Sequence, residues 1–320
     1  MRDITALGEI LIDFTPFGTS QQGNDTYEAN PGGAPCNVLS MMRSMGNEAA
    51  FIGKLGKDSF GNKLEKTLQE LSIDTSGLIR TNDYLTTMAF VSLSDNGERT
   101  FSFARKQSAD VMLTKEEIDL SLIKSSRIFH CGSLSLTDEP ARSATLYALD
   151  YAKSNNICIS VDPNLRELLW NDMDYARDSI NMLLGYADII KVSDYELDFL
   201  LGTGNINDKI NELYNKLEPK LLFVTCGKNG AYMRTKDQLQ WHSCFLRVKT
   251  IDTTGAGDAF FGACLHKLLK IDLDFESLTK STCLDILRFA SASAALVTTK
   301  KGAIKSMPSE ADISHLLSQL

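Results

Sequence analysis

The sequence has no excess of basic residues. Its 320 residues include 33 Lys and Arg against 41 Asp and Glu, a formal charge of −8. Without surplus cations to displace phosphate counterions, a nucleic-acid partner is excluded, and any phosphate must be bound by local geometry. Nor does any stretch reach the roughly 18 uncharged apolar residues that a membrane span requires, so no membrane association is expected. Met1-Arg2-Asp3 runs directly into Ile4-Thr5-Ala6-Leu7-Gly8, and Glu9 and Asp13 interrupt anything like a signal-peptide apolar region. A cytoplasmic protein is expected. No Cys-x-x-Cys pair occurs among Cys36, Cys131, Cys158, Cys226, Cys244, Cys264 and Cys283, which leaves a structural zinc site without support. An odd, scattered set reads as reduced thiols buried as small hydrophobes. No linker, low-complexity stretch or internal repeat divides the chain.

What is present reads as one large core, with 43% hydrophobic and 23% charged residues close to globular averages. Short apolar, β-rich runs at 50–53, 127–131, 157–161, 188–192 and 221–225 alternate with helical periodicity over 60–71, 139–155, 173–186 and 195–201. That order predicts an α/β fold with a mostly parallel central sheet flanked by helices. Thr87 to Arg105 differs: Ala89, Val91 and Leu93 alternate, Asn96-Gly97 supplies a turn, and Phe101 and Phe103 alternate on the return, which is a hairpin pattern. Together with the extended 13–31 segment, the insertion at about 86–106 predicts a small β lid on a single domain spanning 1–320.

In open parallel sheets ligands sit beyond the carboxyl ends of the strands. The segments there are polar: Asp162-Pro163-Asn164-Leu165-Arg166, Ser193-Asp194-Tyr195-Glu196 and Cys226-Gly227-Lys228-Asn229-Gly230. The most informative run is Asp252-Thr253-Thr254-Gly255-Ala256-Gly257-Asp258, a Gly-rich turn entering an apolar helix. Its glycines let backbone approach an anion, and the helix N-terminus aims N–H groups and the dipole at it. Asp258 falls in the first turn, where a carboxylate serves either as a base toward an attacking hydroxyl or as an ordinary dipole-favoured residue. A dinucleotide fingerprint would need to follow the first strand, with an acid about 20 positions on. A phosphate-binding P-loop is excluded because Gly53-Lys54, Gly56-Lys57 and Gly227-Lys228 are not followed by Ser or Thr in the required frame. Protein-kinase catalytic loops are absent.

The 252–258 run and Gly32-Gly33-Ala34-Pro35-Cys36-Asn37, in this order with the hairpin between them, resemble the two signatures of the ribokinase/PfkB sugar kinases. The resemblance covers the whole chain and implies a ribokinase-like fold. It further implies an ATP-dependent phosphotransferase in which Asp258 is the base and Gly255, Ala256 and Gly257 form an anion hole. Asp13, Gly32, Gly33 and Asn37 would bind the sugar. Ser193-x-x-Glu196 is similar to the family's Asn-x-x-Glu motif, whose Glu organises Mg²⁺ through water; here the first position is Ser. Lys191, Ser193, Glu196, Thr225, Gly227, Gly230 and Ser291, the last within the 290–295 run of small residues, would face the nucleotide. Asp252, Thr254, Val297, Lys300, Gly302 and Ser306 match monovalent-cation positions, which implies K⁺ activation.

The segments Phe103-Ala104-Arg105-x-x-Ser108-Ala109-Asp110, 162–166 with Leu169-Trp170, and 191–196 are most similar to fructokinases, and by that resemblance Phe103, Arg105 and Arg166 join the sugar subsite. The implied reaction converts fructose to fructose 6-phosphate. Guanidinium groups also suit a carboxylate-bearing acceptor, so 2-keto-3-deoxygluconate is the second choice, with ribose or a nucleoside behind it. A sugar-binding regulator on the same fold is the non-enzyme alternative; an intact base, anion hole and Mg²⁺ carboxylate are more than binding requires. A dehydrogenase is weakened by the missing first-strand fingerprint. Alternating apolar residues on the lid predict a homodimer through that sheet.

Overall fold

β-branched and aromatic runs become strands where alternate residues can be buried on two sides. The computed structural model describes residues 1–93, 99–245 and 248–319; the expected Asn96-Gly97 turn lies outside them. In chain order the elements begin with β1 (Arg2–Leu7), β2 (Leu11–Thr19), β3 (Asp25–Gly32), α1 (Ala34–Ser44), β4 (Ala49–Gly56), α2 (Ser59–Glu70) and β5 (Asp74–Thr81). Next come β6 (Met88–Leu93), β7 (Arg99–Ala104), α3 (Leu120–Lys124), β8 (Ser126–Cys131), α4 (Ala141–Ser154), β9 (Cys158–Val161), α5 (Met173–Leu184) and β10 (Ile189–Ser193). The remainder are α6 (Asp194–Leu201), α7 (Ile206–Leu217), β11 (Leu221–Thr225), β12 (Ala231–Arg234), β13 (Leu239–His242), α8 (Ala256–Lys270), α9 (Lys280–Val297) and α10 (Glu310–Ser318).

Among the described residues the main sheet has the order β13-β12-β11-β10-β9-β8-β1-β4-β5. The strands from β11 to β5 pair in parallel, and β12 and β13 close one edge antiparallel. Successive residues feed two cores: Leu221 and Phe223 join α1, α8 and α9 on one face, while Leu222 and Val224 join α4, α5 and α7 on the other. Ile189 and Ile190 divide in the same way. The 221–225 run is β11 residue for residue, and the runs read at 127–131, 157–161 and 188–192 lie within one residue of β8, β9 and β10. Asp58, Asp172 and Ser193 start α2, α5 and α6 by accepting hydrogen bonds from first-turn amides.

From β1 the chain goes to β4 and β5 on one side and later to β8 through β11 on the other. The strand order therefore reverses at the β1–β8 boundary, where a crevice opens at the carboxyl ends. Over this edge lies the expected lid, a second sheet ordered β3-β2-β6-β7. Its Phe14 ring stacks on Phe90 at 4.9 Å and meets Phe60 of α2 edge-on at 5.4 Å, which seats the lid on the body.

Helices α1 and α8 cross closely because Gly262 has no side chain. A Cβ there would lie 2.8 Å from Met41 Cβ and 3.1 Å from the Val38 carbonyl oxygen. Gly262→Ala is expected to destabilise the fold by about 1–3 kcal/mol through overpacking. Thermal denaturation reads this directly, and an unchanged melting temperature would show that the crossing has slack.

Candidate active site

Helix α8 begins after Gly255, whose φ of 78° is left-handed and whose absent Cβ makes room for Ala303. No side chain caps α8, so its first-turn amides and the positive end of its dipole are left to other partners. Asp258, in its first turn, is buried. From α1, the Asn37 Nδ2 donates to Asp258 Oδ2 at 2.7 Å. Burial raises the Asp258 pKa above the ordinary carboxylate value, against the lowering effects of Asn37, Lys191 and Arg166. Asn37 Oδ1 is buried without a protein partner, an acceptor facing the same place.

Lys191, near the end of β10, donates from Nζ to Asp162 Oδ2 at 2.8 Å, and both side chains are buried. A Cβ at Gly257 would come within 3.1 Å of this ammonium; the glycine lets the cation sit against the α8 N-terminus. Burial lowers the Lys191 pKa, but the charges of Asp162 and Glu196 outweigh it and keep the ammonium protonated. Burial pushes Asp162 up while Lys191 pulls against it. Asp162 Oδ1, like Asn37 Oδ1, is buried without a protein partner.

Glu196 is buried and used on both oxygens. Oε1 accepts from the Leu165 amide at 2.8 Å, and Oε2 accepts from the Ser193 amide at 2.7 Å and hydroxyl at 2.9 Å. Ser193 thus acts as the α6 cap in a reciprocal capping box. The Glu196 carboxylate also ties the 162–166 loop to α6. That loop carries Arg166, which is exposed, donates to its neighbour's Leu165 carbonyl at 3.0 Å, and acts electrostatically on both Asp13 and Asp258.

On the lid side, Asp13 pairs with Asn30 in the β2–β3 ladder and its side chain reaches diagonally to Gly32, where a Cβ would collide with the carboxylate. Burial raises Asp13 from 3.8 to about 6, with Arg166 opposing and Asp252 reinforcing the shift. Gly33, at φ 124°, leaves no space for a Cβ, which would lie 2.5 Å from the Glu9 carbonyl oxygen. Phe103 is half-buried on β7. Arg105 is buried and already committed: Nε donates to Asp110 Oδ2 at 2.8 Å, Nη1 to Thr137 Oγ1 at 2.8 Å and Nη2 to the Leu134 carbonyl at 2.9 Å.

On the opposite side, Thr225 ends β11, and Gly227 and Gly230 shape the tight connection to β12, closed by the Cys226 amide donating to the Gly230 carbonyl at 2.8 Å. Ser291 is buried on α9, which packs on β12 and β13. Asp252 and Thr254 lie just before α8, Val297 ends α9, and Lys300, Gly302 and Ser306 follow it. The two segments meet where the Gly302 amide donates to Asp252 Oδ2 at 3.1 Å and the Asp252 amide donates to the Thr298 carbonyl at 3.1 Å, while Thr254 bonds Asp252 Oδ1 within its own loop. Among the described residues no cluster of three His, Cys, Asp or Glu forms a metal cage.

Asp162, Glu9 and Asp110 carry structure here that sequence reasoning did not assign. The signal for Asp162 is its place just beyond a parallel strand, and that for Asp110 its place in the 103–110 segment that resembles fructokinases; for Glu9 it is only a charge interrupting an apolar opening. The uncapped α8 start and the Lys191 ammonium can together receive an anion beside the buried Asp258 carboxylate.

The pfkB family carbohydrate kinase profile matches residues 1–310. Fructokinase-1 of Zea mays is 41% identical over 318 residues, 98% of this chain and 97% of that protein. Fructokinase from Xylella fastidiosa, solved with bound ATP, superposes with a TM-score of 0.89 at 30% identity, covering 100% of this chain and 99% of that one. A double-mutant fructokinase from Vibrio cholerae O395, bound to fructose, ADP and potassium ion, superposes with a TM-score of 0.88 at 34% identity over 99% and 98% of the two chains.

Glu9 offers a test of the site's electrostatics. Burial pushes its pKa from 4.5 up to about 7, against the Glu9 and Ala34 amides and the Arg105 charge. A carboxyl raised on folding holds its proton more tightly in the native state, so its stabilising contribution is present below pH 4.5 and is lost as pH rises through 7. Glu9→Gln mimics the protonated form. Its stability relative to the parent chain should therefore improve between pH 5 and pH 8 by on the order of 2 kcal/mol. Denaturant titrations at both pH values check this, and a pH-independent difference would place the Glu9 pKa outside that window.

Proposed function

The chain belongs to the pfkB family of carbohydrate kinases, and from that premise we propose that it transfers the γ-phosphoryl group of ATP to a hydroxyl of fructose, giving fructose 6-phosphate. The observation that carries the reading is the buried Asn37–Asp258 pair at the uncapped start of α8. Asn37 occupies Asp258 Oδ2, which leaves Oδ1 to take the proton of the attacking hydroxyl, and burial makes that carboxylate a stronger base than a solvated one. The sugar oxygen bonds to the γ-phosphorus, the bond to the β-phosphate oxygen breaks, and ADP leaves. The Gly255 and Gly257 amides and the Lys191 ammonium would meet the charge on the transferred oxygens, while the Ala256 amide, expected in the same anion hole, already donates to the Thr253 carbonyl at 3.2 Å. Arg166, expected at the sugar, acts by its charge on Asp13 and Asp258, which supports a place for it between the acceptor and the transferred phosphoryl group.

The donor set fits ATP and Mg²⁺. Both Glu196 oxygens are already hydrogen-bonded, so Glu196 would hold the ion through water rather than directly. Mg²⁺ neutralises charge on the nucleotide phosphates when bound. The joined 252–254 and 297–306 segments support a K⁺ site, and the Vibrio cholerae relative was solved with potassium ion bound. Arg105 is balanced by Asp110, which favours a neutral sugar over a keto-deoxy acid that would need the guanidinium for its carboxylate. The described cysteines are all free thiols, in keeping with a reducing, cytoplasmic compartment. Phe17 at 70%, Tyr27 at 44% and Phe90 at 37% exposure on the lid favour a homodimer with lid against lid.

ATP consumption with fructose, ribose, 2-keto-3-deoxygluconate, a purine nucleoside and fructose 1-phosphate, in Mg²⁺ with and without K⁺, should show preference for fructose and stimulation by K⁺. Another preferred acceptor overturns the substrate assignment. Asp258→Asn should lower kcat by about a thousandfold or more while fructose binding, measured calorimetrically, persists; an active Asn variant removes Asp258 from the base role. Gel filtration should give twice the 35.3 kDa chain mass, and a monomer at micromolar concentration would dismiss the lid-to-lid dimer.

A further inference from the structure

Beneath the lid lies a buried network that the proposed chemistry does not use. Asp110 is at its centre, with its side chain 3% exposed and that of Arg105 5% exposed. Oδ1 accepts from the Thr87 and Ser108 hydroxyls, the latter at 2.6 Å, and Oδ2 accepts from Arg105 Nε at 2.8 Å. Thr87 is the residue before β6 and Arg105 the residue after β7. One carboxylate therefore grips both roots of the lid hairpin. Burial raises the Asp110 pKa, but Arg105 and the Ser108 and Thr87 hydroxyls outweigh it and leave the group below its ordinary value, an anion matched to its surroundings.

Two chains of contact lead from this point to the sugar side. In the first, the Thr87 carbonyl accepts from the Ile12 amide at 3.1 Å, and the β2–β6 register then sets Ile12 opposite Met88 and Asp13 opposite Ala89. In the second, the Arg105 and Asp110 charges act on Glu9, whose Oε1 accepts from the Ala34 amide at 3.0 Å beside the constrained Gly33. The Leu134 carbonyl and Thr137 hydroxyl anchor Arg105 to the body. We infer that Asp110 is a positioning residue for sugar capture, fixing Asp13 through Thr87 and the 33–34 turn through Arg105 and Glu9. This rests on the sugar-kinase reading and adds to it a residue that touches neither substrate.

Asp110→Asn removes the charge facing Arg105, and because the guanidinium only donates, the amide carbonyl turns to Arg105 and an NH₂ group replaces the acceptor of the Thr87 and Ser108 hydroxyls. Thr87→Val removes only the first path and is nearly isosteric. Each should raise KM for the sugar, by about tenfold or more for Asn and about three- to tenfold for Val, with kcat and KM for ATP within about threefold. Because both act through one carboxylate, Thr87→Val should add less than about twofold in the Asp110→Asn background. An unchanged sugar KM, equal losses for both substrates, or fully multiplicative effects would each overturn the inference. Should Asp110→Asn fail to fold, the KM split of Thr87→Val alone decides. Turnover of the parent chain on fructose is measured first; if another sugar of the panel is the acceptor, the fructose assignment fails and the comparison is made with that sugar. A chain inactive on every acceptor overturns both.

Discussion

The Lys191 ammonium, buried among Asp162, Glu196 and Asp258, is the constraint on which the catalytic edge of the sheet depends. An ammonium in a low-dielectric site persists only if carboxylates are brought close, and carboxylates so placed persist only if the ammonium stays. Three separate chain passages meet this demand: the end of β9 supplies Asp162, α6 supplies Glu196 and α8 supplies Asp258. Glycine at 257 follows from it, since a side chain there would press on the cation. Burial, opposed by Lys191, leaves Asp258 with a raised affinity for protons, which is what distinguishes it from an ordinary helix-start acid.

Much of the architecture could be read from sequence because it is periodic. Residues 221–225 read as a buried strand and form one, with alternate side chains dividing between the two cores. Strands β12 (AYMR) and β13 (LQWH) mix polar and apolar residues without a continuous apolar run, whereas β9, equally short, is legible because the run leading into it is apolar. The lid hairpin was legible from alternation, but the parallel pairing of β2 with β6 was not, since register between distant segments leaves no local mark. In the site, the glycines and Asp258 were legible because their spacing is local. Glu9 read only as a charge interrupting an apolar opening, and its contact with Ala34 depends on where β1 and α1 meet in space. Ser193 read as a departure from an expected Asn, whereas its hydroxyl completes the cap of α6 and leans on Glu196.

Caps separate scaffold from site with one exception, α4, which begins after Pro140 without a side-chain cap. Helices α2, α5, α6, α7, α9 and α10 are each closed by a side chain at the N-terminus. Helices α1 and α8 start instead from Gly33 and Gly255, without one. These are the two helices whose first turns bear Asn37 and Asp258. Stability at those starts has been left to surrounding groups, Glu9 in the case of α1, so the helix ends stay open to a ligand.

The Asn37–Asp258 hydrogen bond joins residues 221 positions apart. On the ribosome, the partner that orients the base emerges long before the base itself, and α1 must wait without its α8 neighbour while most of the sheet is made. Contacts of such sequence separation form late. A chain cut anywhere before α8 can therefore fold some of its sheet yet carry no phosphoryl-transfer chemistry, so during synthesis activity arises in one step near completion rather than growing with length.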